Sequence, residues 1–210
     1  MDLTIMTIIA IATSKGGTGK TMLAAGLAAF WATAGKRVLA LDTDPNRHLF
    51  DQLEGSGIDC RPVAEDAILA EATRGREAAD VVLVDVAGLL AKGMVYAAAA
   101  ADVVLIPCRP DRADIGEAAR TQDVVRNAEA MSRRPIPHAA ILTQVNPRTQ
   151  VLAVARDELD RLEIPRLPAE MPMRVAYAEA NFTGRHLDSS AIYADLREIS
   201  EAIMLTVAHR

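Results

Sequence analysis

Short runs of branched apolar residues recur along the chain, and they barely alternate with polar ones. Residues 7–13, 37–42, 81–85, 103–107 and 139–143 are each nearly continuous in Ile, Val, Leu and Ala. A strand wet on one face alternates apolar and polar positions, so these runs predict strands covered on both faces. Alanine-rich stretches of helical character lie between them. Residues 20–34 run into Gly35, suited to the turn that closes a helix, and 113–131 stop short of Pro135. Residues 149–162 and 189–207 complete the predicted helices. Strands alternating with helices demand right-handed crossovers, so the expected class is α/β: a mainly parallel, twisted sheet in three α/β/α layers. No repeat, low-complexity tract or linker interrupts this order, and residues 1–210 read as one domain.

Composition narrows the class further. A chain of 210 residues, 50% hydrophobic, is long enough to bury a core without staples. No apolar run, 96–101 among them, approaches the ~20 residues of a membrane span, so no stable membrane insertion is expected. The first residues lack the basic start of a secretion signal. Cys60 and Cys108 are too few for a disulfide framework and read as inert thiols of a reducing cytosol. His48, His138, His186 and His209 are scattered without metal-ligand spacing. Trp31 and Phe30 read as core packing, and Met171 and Met173 flank Pro172 in an expected loop. The net charge is −5, which excludes a polycation. Within 120–150, however, five arginines face only Asp123 and Glu129, leaving room for a local basic surface.

The chemistry concentrates after the first strand. Ser14-Lys15-Gly16-Gly17-Thr18-Gly19-Lys20-Thr21-Met22 links that strand to a helix, the context a phosphate-binding loop requires. Gly16, Gly17 and Gly19 free the backbone to point N–H groups at phosphate oxygens, at the positive end of the helix. Lys20 is placed to reach the β- and γ-phosphates and Thr21 to ligate Mg²⁺. Ser14 stands where the strict pattern has glycine.

Lys15 adds a second lysine, five residues earlier. The run 15–21 resembles the KGGxGK[ST] loop of the ParA/MinD group of deviant Walker-type ATPases. The resemblance implies a P-loop NTPase fold, ATP and Mg²⁺ as cofactors, and a homodimer sandwiching ATP. It also implies that Lys15 crosses to the partner's nucleotide, as an arginine finger does. Thr18 and Met22 join the nucleotide contacts. The segment 41–46 is similar to the group's DxDPQ-like segment, with Asn46 where glutamine is usual. By resemblance, Asp42 helps hold Mg²⁺ through water, and Asp44 orients or deprotonates the attacking water. From the residues alone, Asp44 is equally a cap for the segment starting at Pro45. Residues 81–85 form a Walker B pattern that delivers Asp85 to the magnesium, and Gly88 is placed to sense the γ-phosphate through its N–H. Residues 141–147 are similar to the segment flanking the base, which puts Asn146 or Pro147 near the adenine. Residues 174–184 resemble the late R-x-A-Y stretch of small ParA proteins.

Such a resemblance implies a nucleotide-gated switch: an ATP dimer that binds DNA without sequence specificity until a ParB-like or other small activator triggers hydrolysis. A cytoplasmic, nucleoid-associated protein that segregates or positions plasmid, chromosome or other cargo is the expectation. Arg126, Arg133, Arg134, Arg148, Arg166, Arg174 and Arg185 are the candidate DNA contacts. Arg156 and Arg161, beside Asp157, Glu158 and Asp160, are expected to pair with those acids instead. The chain starts almost at its first strand, leaving no room for an N-terminal helix-turn-helix. Several alternatives stay open at this point. They are a MinD-like membrane switch, an orphan relative in conjugative DNA transfer, a cluster-bridging reductase and a metabolic ligase. The membrane alternative calls for a basic amphipathic tail, whereas residues 203–210 are apolar and read as a last core helix.

Overall fold

The computed structural model describes residues 7–88, 91–184 and 189–208. Every expected strand forms: β1 (Thr7–Ile11), β2 (Val38–Asp42), β4 (Val81–Asp85), β5 (Val103–Cys108) and β6 (His138–Val145). β3 (Asp59–Pro62) and β7 (Met171–Pro172) extend the two edges, giving seven strands in the order β3-β2-β4-β1-β5-β6-β7. All six pairings are parallel, so the sheet is parallel throughout rather than mainly so. The four expected helices are α1 (Lys20–Thr33), α5 (Arg112–Ser132), α6 (Gln150–Arg161) and α8 (Ser190–Ala208). Four more complete the layers: α2 (His48–Leu53), α3 (Ile68–Ala78), α4 (Ala91–Ala100) and α7 (Val175–Thr183).

The unbroken apolar runs have a direct structural cause. Successive side chains of a strand point to opposite faces, and here both faces are cores. Ile8, Ala10, Leu39, Leu41, Val82, Val84, Val104 and Ile106 pack under residues of α3, α4, α5 and α6. Ile9, Ile11, Val38, Ala40, Leu83 and Leu105 pack on the opposite side with residues of α1, α2, α7 and α8. Trp31 of α1 is buried there as expected, and its indole N–H donates to the Ser200 hydroxyl of α8 at 2.9 Å. The late R-x-A-Y stretch joins α7 to α8. Arg174 is bidentate to Asp195 at 2.7 and 2.9 Å, and the Tyr177 hydroxyl donates to the same carboxylate at 3.2 Å.

Both added strands lie at the sheet edges, and one of them corrects a loop expectation. Cys60 lies in edge strand β3, whose Pro62 lacks a ladder donor and is tolerated only at such an edge. Met171 is buried in β7, while Met173 stands exposed just beyond it. Among the described residues no helix is long and apolar enough to cross a membrane. Ile203, Met204 and Val207 of the tail pack into the core. Burial pushes the Cys60 and Cys108 thiols up to about 12, which keeps them as unreactive thiols.

Candidate functional site

β1 sits between β4 and β5; its own crossover runs to β2 on one side while the one from β4 passes to β5 on the other, which opens a crevice at the carboxyl ends of the strands. The loop 14–19 fills that position and leads into α1. Gly17 and Gly19 take left-handed φ values of 76° and 88°, where a side chain would strain the backbone. Gly16 does not, and a Cβ there would meet nothing within 4 Å; its expected conformational need is absent. Ser14 has no positive φ either, and its hydroxyl donates to Glu117 of α5, which explains why serine is accepted in place of glycine. Gly19 leaves the α1 N-terminus without a side-chain cap, so its first N–H groups are free for an anion. The Lys20 ammonium donates to the Lys15 carbonyl at 2.9 Å, bending over the loop where phosphates belong, and burial lowers its pKa.

The magnesium chemistry rests on two residues. Thr21 donates its hydroxyl to Asp85 Oδ2 at 2.7 Å, while the buried Asp85 Oδ1 has no hydrogen-bond partner among the described residues. Burial pushes the Asp85 carboxyl up to about 7, and its Thr21 hydrogen bond only partly opposes that. A desolvated carboxylate with an idle oxygen beside a threonine hydroxyl is the hard-oxygen donor set that suits Mg²⁺. Thr21 and Asp85 thus fit the ion. Asp42 lies level with Asp85 in the ladder, but its oxygens already accept the N–H groups of Asp44 and Phe50, both at 2.9 Å. Its visible work is to fold the loop that carries Asp44. Thr43 clamps the same strand ends: its hydroxyl donates to the Asp85 carbonyl at 3.0 Å and accepts from the Ala87 N–H at 2.8 Å.

Asp44 performs the capping. Its Oδ1 accepts from the Asn46 backbone N–H at 2.8 Å, capping the turn, while the whole residue lines the crevice. Its Oδ2 meets His48 Nδ1 at 3.0 Å. Burial works to raise the carboxyl, yet the Asn46 and His48 donors outweigh it and hold Asp44 below the ordinary carboxylate range.

Lys15 is held within its own chain. Its ammonium pairs with Asp114 and lies 3.7 Å from Asp111, at the start of α5. Asp114 is buried and also accepts from the Arg109 guanidinium at 2.9 and 3.1 Å. Although burial opposes it, hydrogen bonds from Arg109 and Lys15 hold its carboxyl far below the usual range. A carboxylate depressed in the fold adds stability above the ordinary aspartate pKa of about 3.9, and that stability is lost as pH falls below it. Acid unfolding followed by circular dichroism should therefore be less steep in Asp114→Asn, whose stability at neutral pH is already lower.

The crevice holds about 440 Å³ and is lined by Gly16, Gly17, Gly19, Lys20, Thr21, Met22, Asp44, Asp85 and Gly88, all expected. Asn146 and Pro147 do not line it; they form an exposed turn after β6, where Asn146 Oδ1 accepts the Arg148 N–H. The end of β6 contributes instead through two residues the sequence did not single out. Thr143 donates to the Thr18 carbonyl at 2.7 Å and Gln144 to the Gly17 carbonyl at 2.9 Å, bracing the phosphate loop. His48, Gln52 and Asn181 complete the lining. Only His48 left a signal, four residues after Asp44; the last two meet across 129 positions of chain.

The arginines divide into two groups. Arg126, Arg133 and Arg148 are exposed, and among the described residues their guanidinium groups have no partner. Arg134 donates to the Ala99 and Ala101 carbonyls, Arg166 pairs with Asp160, and Arg174 with Asp195. Arg161 pairs with Glu158 as expected, whereas Arg156 takes Glu170 rather than its sequence neighbours. Arg185 lies outside the described residues.

Comparison with known proteins follows the same geometry. ParA of Rhizobium radiobacter is 32% identical over 147 residues, 68% of this chain and 66% of that protein. The chromosome-partitioning ATPase Soj of Thermus thermophilus is 32% identical over 137 residues, 49% of this chain and 55% of Soj. The chain thus spans just under two thirds of that ParA and about half of Soj. Cobyrinic acid a,c-diamide synthase of Mycobacterium smegmatis, solved with an ATP analog and magnesium, shares the fold at a TM-score of 0.77 and 19% identity, covering 95% of each chain. The family model of the CobQ/CobB/MinD/ParA nucleotide binding domain matches residues 9–187. With its phosphate loop, Thr21–Asp85 pair and parallel sheet, the chain belongs to the CobQ/CobB/MinD/ParA nucleotide-binding family.

Proposed function

We propose that this chain is a Mg²⁺-dependent ATPase that dimerises on ATP, and that the dimer binds DNA without sequence specificity to segregate or position a cargo. The observation that carries the reading is Lys15, a second cation in the phosphate loop whose ammonium partners among the described residues are the carboxylates of Asp111 and Asp114. A partner's triphosphate offers that ammonium an alternative anion that is present only when nucleotide is bound, so ATP links occupancy of the loop to assembly. Thr21 and Asp85 hold the magnesium, which screens the phosphates, and Lys20 binds the transferred group. The likeness to ParA and to the chromosome-partitioning ATPase Soj supports a partition role. The packed tail of α8 favours a DNA role over membrane attachment, because its apolar face is already covered by the core.

Of the candidate DNA contacts among the described residues, Arg126, Arg133 and Arg148 keep their guanidinium groups free for phosphate. Dimerisation doubles them, and the binding they give falls steeply with salt. Light scattering of Asp44→Ala with Mg-ATP should read twice the monomer mass, and the same sample should retard unrelated duplexes that the ADP form leaves free. A monomer at saturating nucleotide overturns the switch; a dimer that ignores DNA overturns the cargo role alone.

A further inference from the structure

One part of the crevice wall carries neither charge nor any piece of the phosphate loop. Gln52 of α2 and Asn181 of α7 line it, and the Gln52 Nε2–H donates to Asn181 Oδ1. Gly184 closes α7 at a left-handed φ of 69°, and a Cβ there would fall 3.1 Å from the Gln52 carbonyl oxygen. Glycine thus lets the end of α7 settle on α2 beside the pair. The two amides do not satisfy each other. The buried Gln52 Oε1 has no hydrogen-bond partner among the described residues. Reversing both amides would keep their one bond and strand an N–H at the same place, so the pair by itself always leaves one buried polar group idle. Such a group is costly until something bonds to it.

Position and chemistry narrow what that something is. α2 starts at His48 beside Asp44, and Gln52 stands one turn further along, about 6 Å away. α2 and α7 pack in the same helix layer as α1, and Met22, just past Thr21, also lines the crevice. The phosphates take the loop N–H groups, Lys20 and the magnesium pair, so the amide wall is left for the other end of the nucleotide. Ionised phosphate has no proton to give an amide oxygen. Adenine, by contrast, presents an exocyclic N–H beside a ring nitrogen that accepts, the edge that amide side chains read. We infer that Gln52 and Asn181 select the adenine base: Gln52 Oε1 turns to accept the 6-amino N–H, and Asn181 Nδ2 donates to the neighbouring ring nitrogen. Resting on the nucleotide reading above, this base contact is one that Asn146 and Pro147 do not supply from their exposed turn.

Calorimetric titration of the whole chain tests this with three magnesium-loaded ligands: ATP, its analogue with hydrogen in place of the 6-amino group, and inorganic triphosphate. Gln52→Ala should weaken ATP roughly five- to a hundredfold and hardly change the desamino analogue, which already lacks the group Gln52 meets. Asn181→Ala should weaken both nucleotides by a similar factor, since the ring nitrogen is present in each. Neither variant should move inorganic triphosphate, whose affinity reports the loop alone, whereas damage to the loop would weaken all three ligands. Equal losses for ATP and the desamino analogue in Gln52→Ala, or ATP affinity unchanged in both variants, overturn the proposal. So does a natural chain that binds inorganic triphosphate as tightly as ATP. A natural chain that binds neither overturns the nucleotide reading itself, and the base contact with it.

Discussion

Lys20→Met should weaken ATP binding by about ten- to a hundredfold while leaving the free protein no less stable. The two effects part company because Lys20 is desolvated. In the free protein its ammonium reaches only the Lys15 carbonyl, and burial lowers its pKa. A lysine whose pKa is lowered in the fold opposes folding at neutral pH, where it must be charged against its surroundings. Methionine keeps most of the volume and removes that cost. When triphosphate fills the loop the same ammonium makes charge-assisted hydrogen bonds worth about 1.5–3 kcal/mol, which methionine forfeits. Fluorescence-anisotropy titration with a labelled ATP and thermal unfolding of the free protein read the two halves separately. A variant that melts several degrees lower would make Lys20 a structural residue first.

Gly88→Ala should cost both stability and nucleotide binding. Gly88 sits after β4, and a Cβ there would fall 2.6 Å from the Ser14 carbonyl oxygen, 3.1 Å from its carbon and 3.2 Å from the Thr13 carbonyl oxygen. These are backbone atoms at the mouth of the phosphate loop, so no rotamer change relieves the clash. Overpacking of this kind costs about 1–3 kcal/mol, or a fall in melting temperature of about 2–4 °C per kcal/mol for a chain of this size. The start of the loop must also shift, and ATP affinity should drop with it. Gly116, inside α5 with open space around it, is the control: Gly116→Ala should stabilise by about 0.5–1 kcal/mol and leave ATP affinity alone. Equal behaviour of the two variants in thermal unfolding and ATP titration would show that the contact to Ser14 is yielding.

The phosphate loop was legible because its function is local. Glycines, Lys20 and Thr21 work through backbone conformations and a helix start that nine consecutive residues specify. The five central strands were equally plain, since burial on both faces writes the same apolar letters at every position. β7 and β3 escaped because two- and four-residue edge strands carry no period, and α2 because six residues make fewer than two turns. Asp42 gains a task the sequence did not show: beyond a type and strand end that match a metal ligand acting through water, its oxygens accept the N–H groups of Asp44 and Phe50.

The amino-acid order alone determined a parallel α/β sheet, its phosphate loop, the acids at the ends of β2 and β4, and the family these imply. Tertiary structure decided who stands around the nucleotide. Gln144 and Thr143 brace the loop from β6, Gln52 meets Asn181, and Asp114 holds Lys15. The reason is one of range. Hydrophobic period and loop glycines act between near neighbours and leave a pattern in the chain, whereas hydrogen bonds and ion pairs between distant segments depend on crossovers that bring strand ends together. Such pairs have no spacing to read until the sheet is assembled.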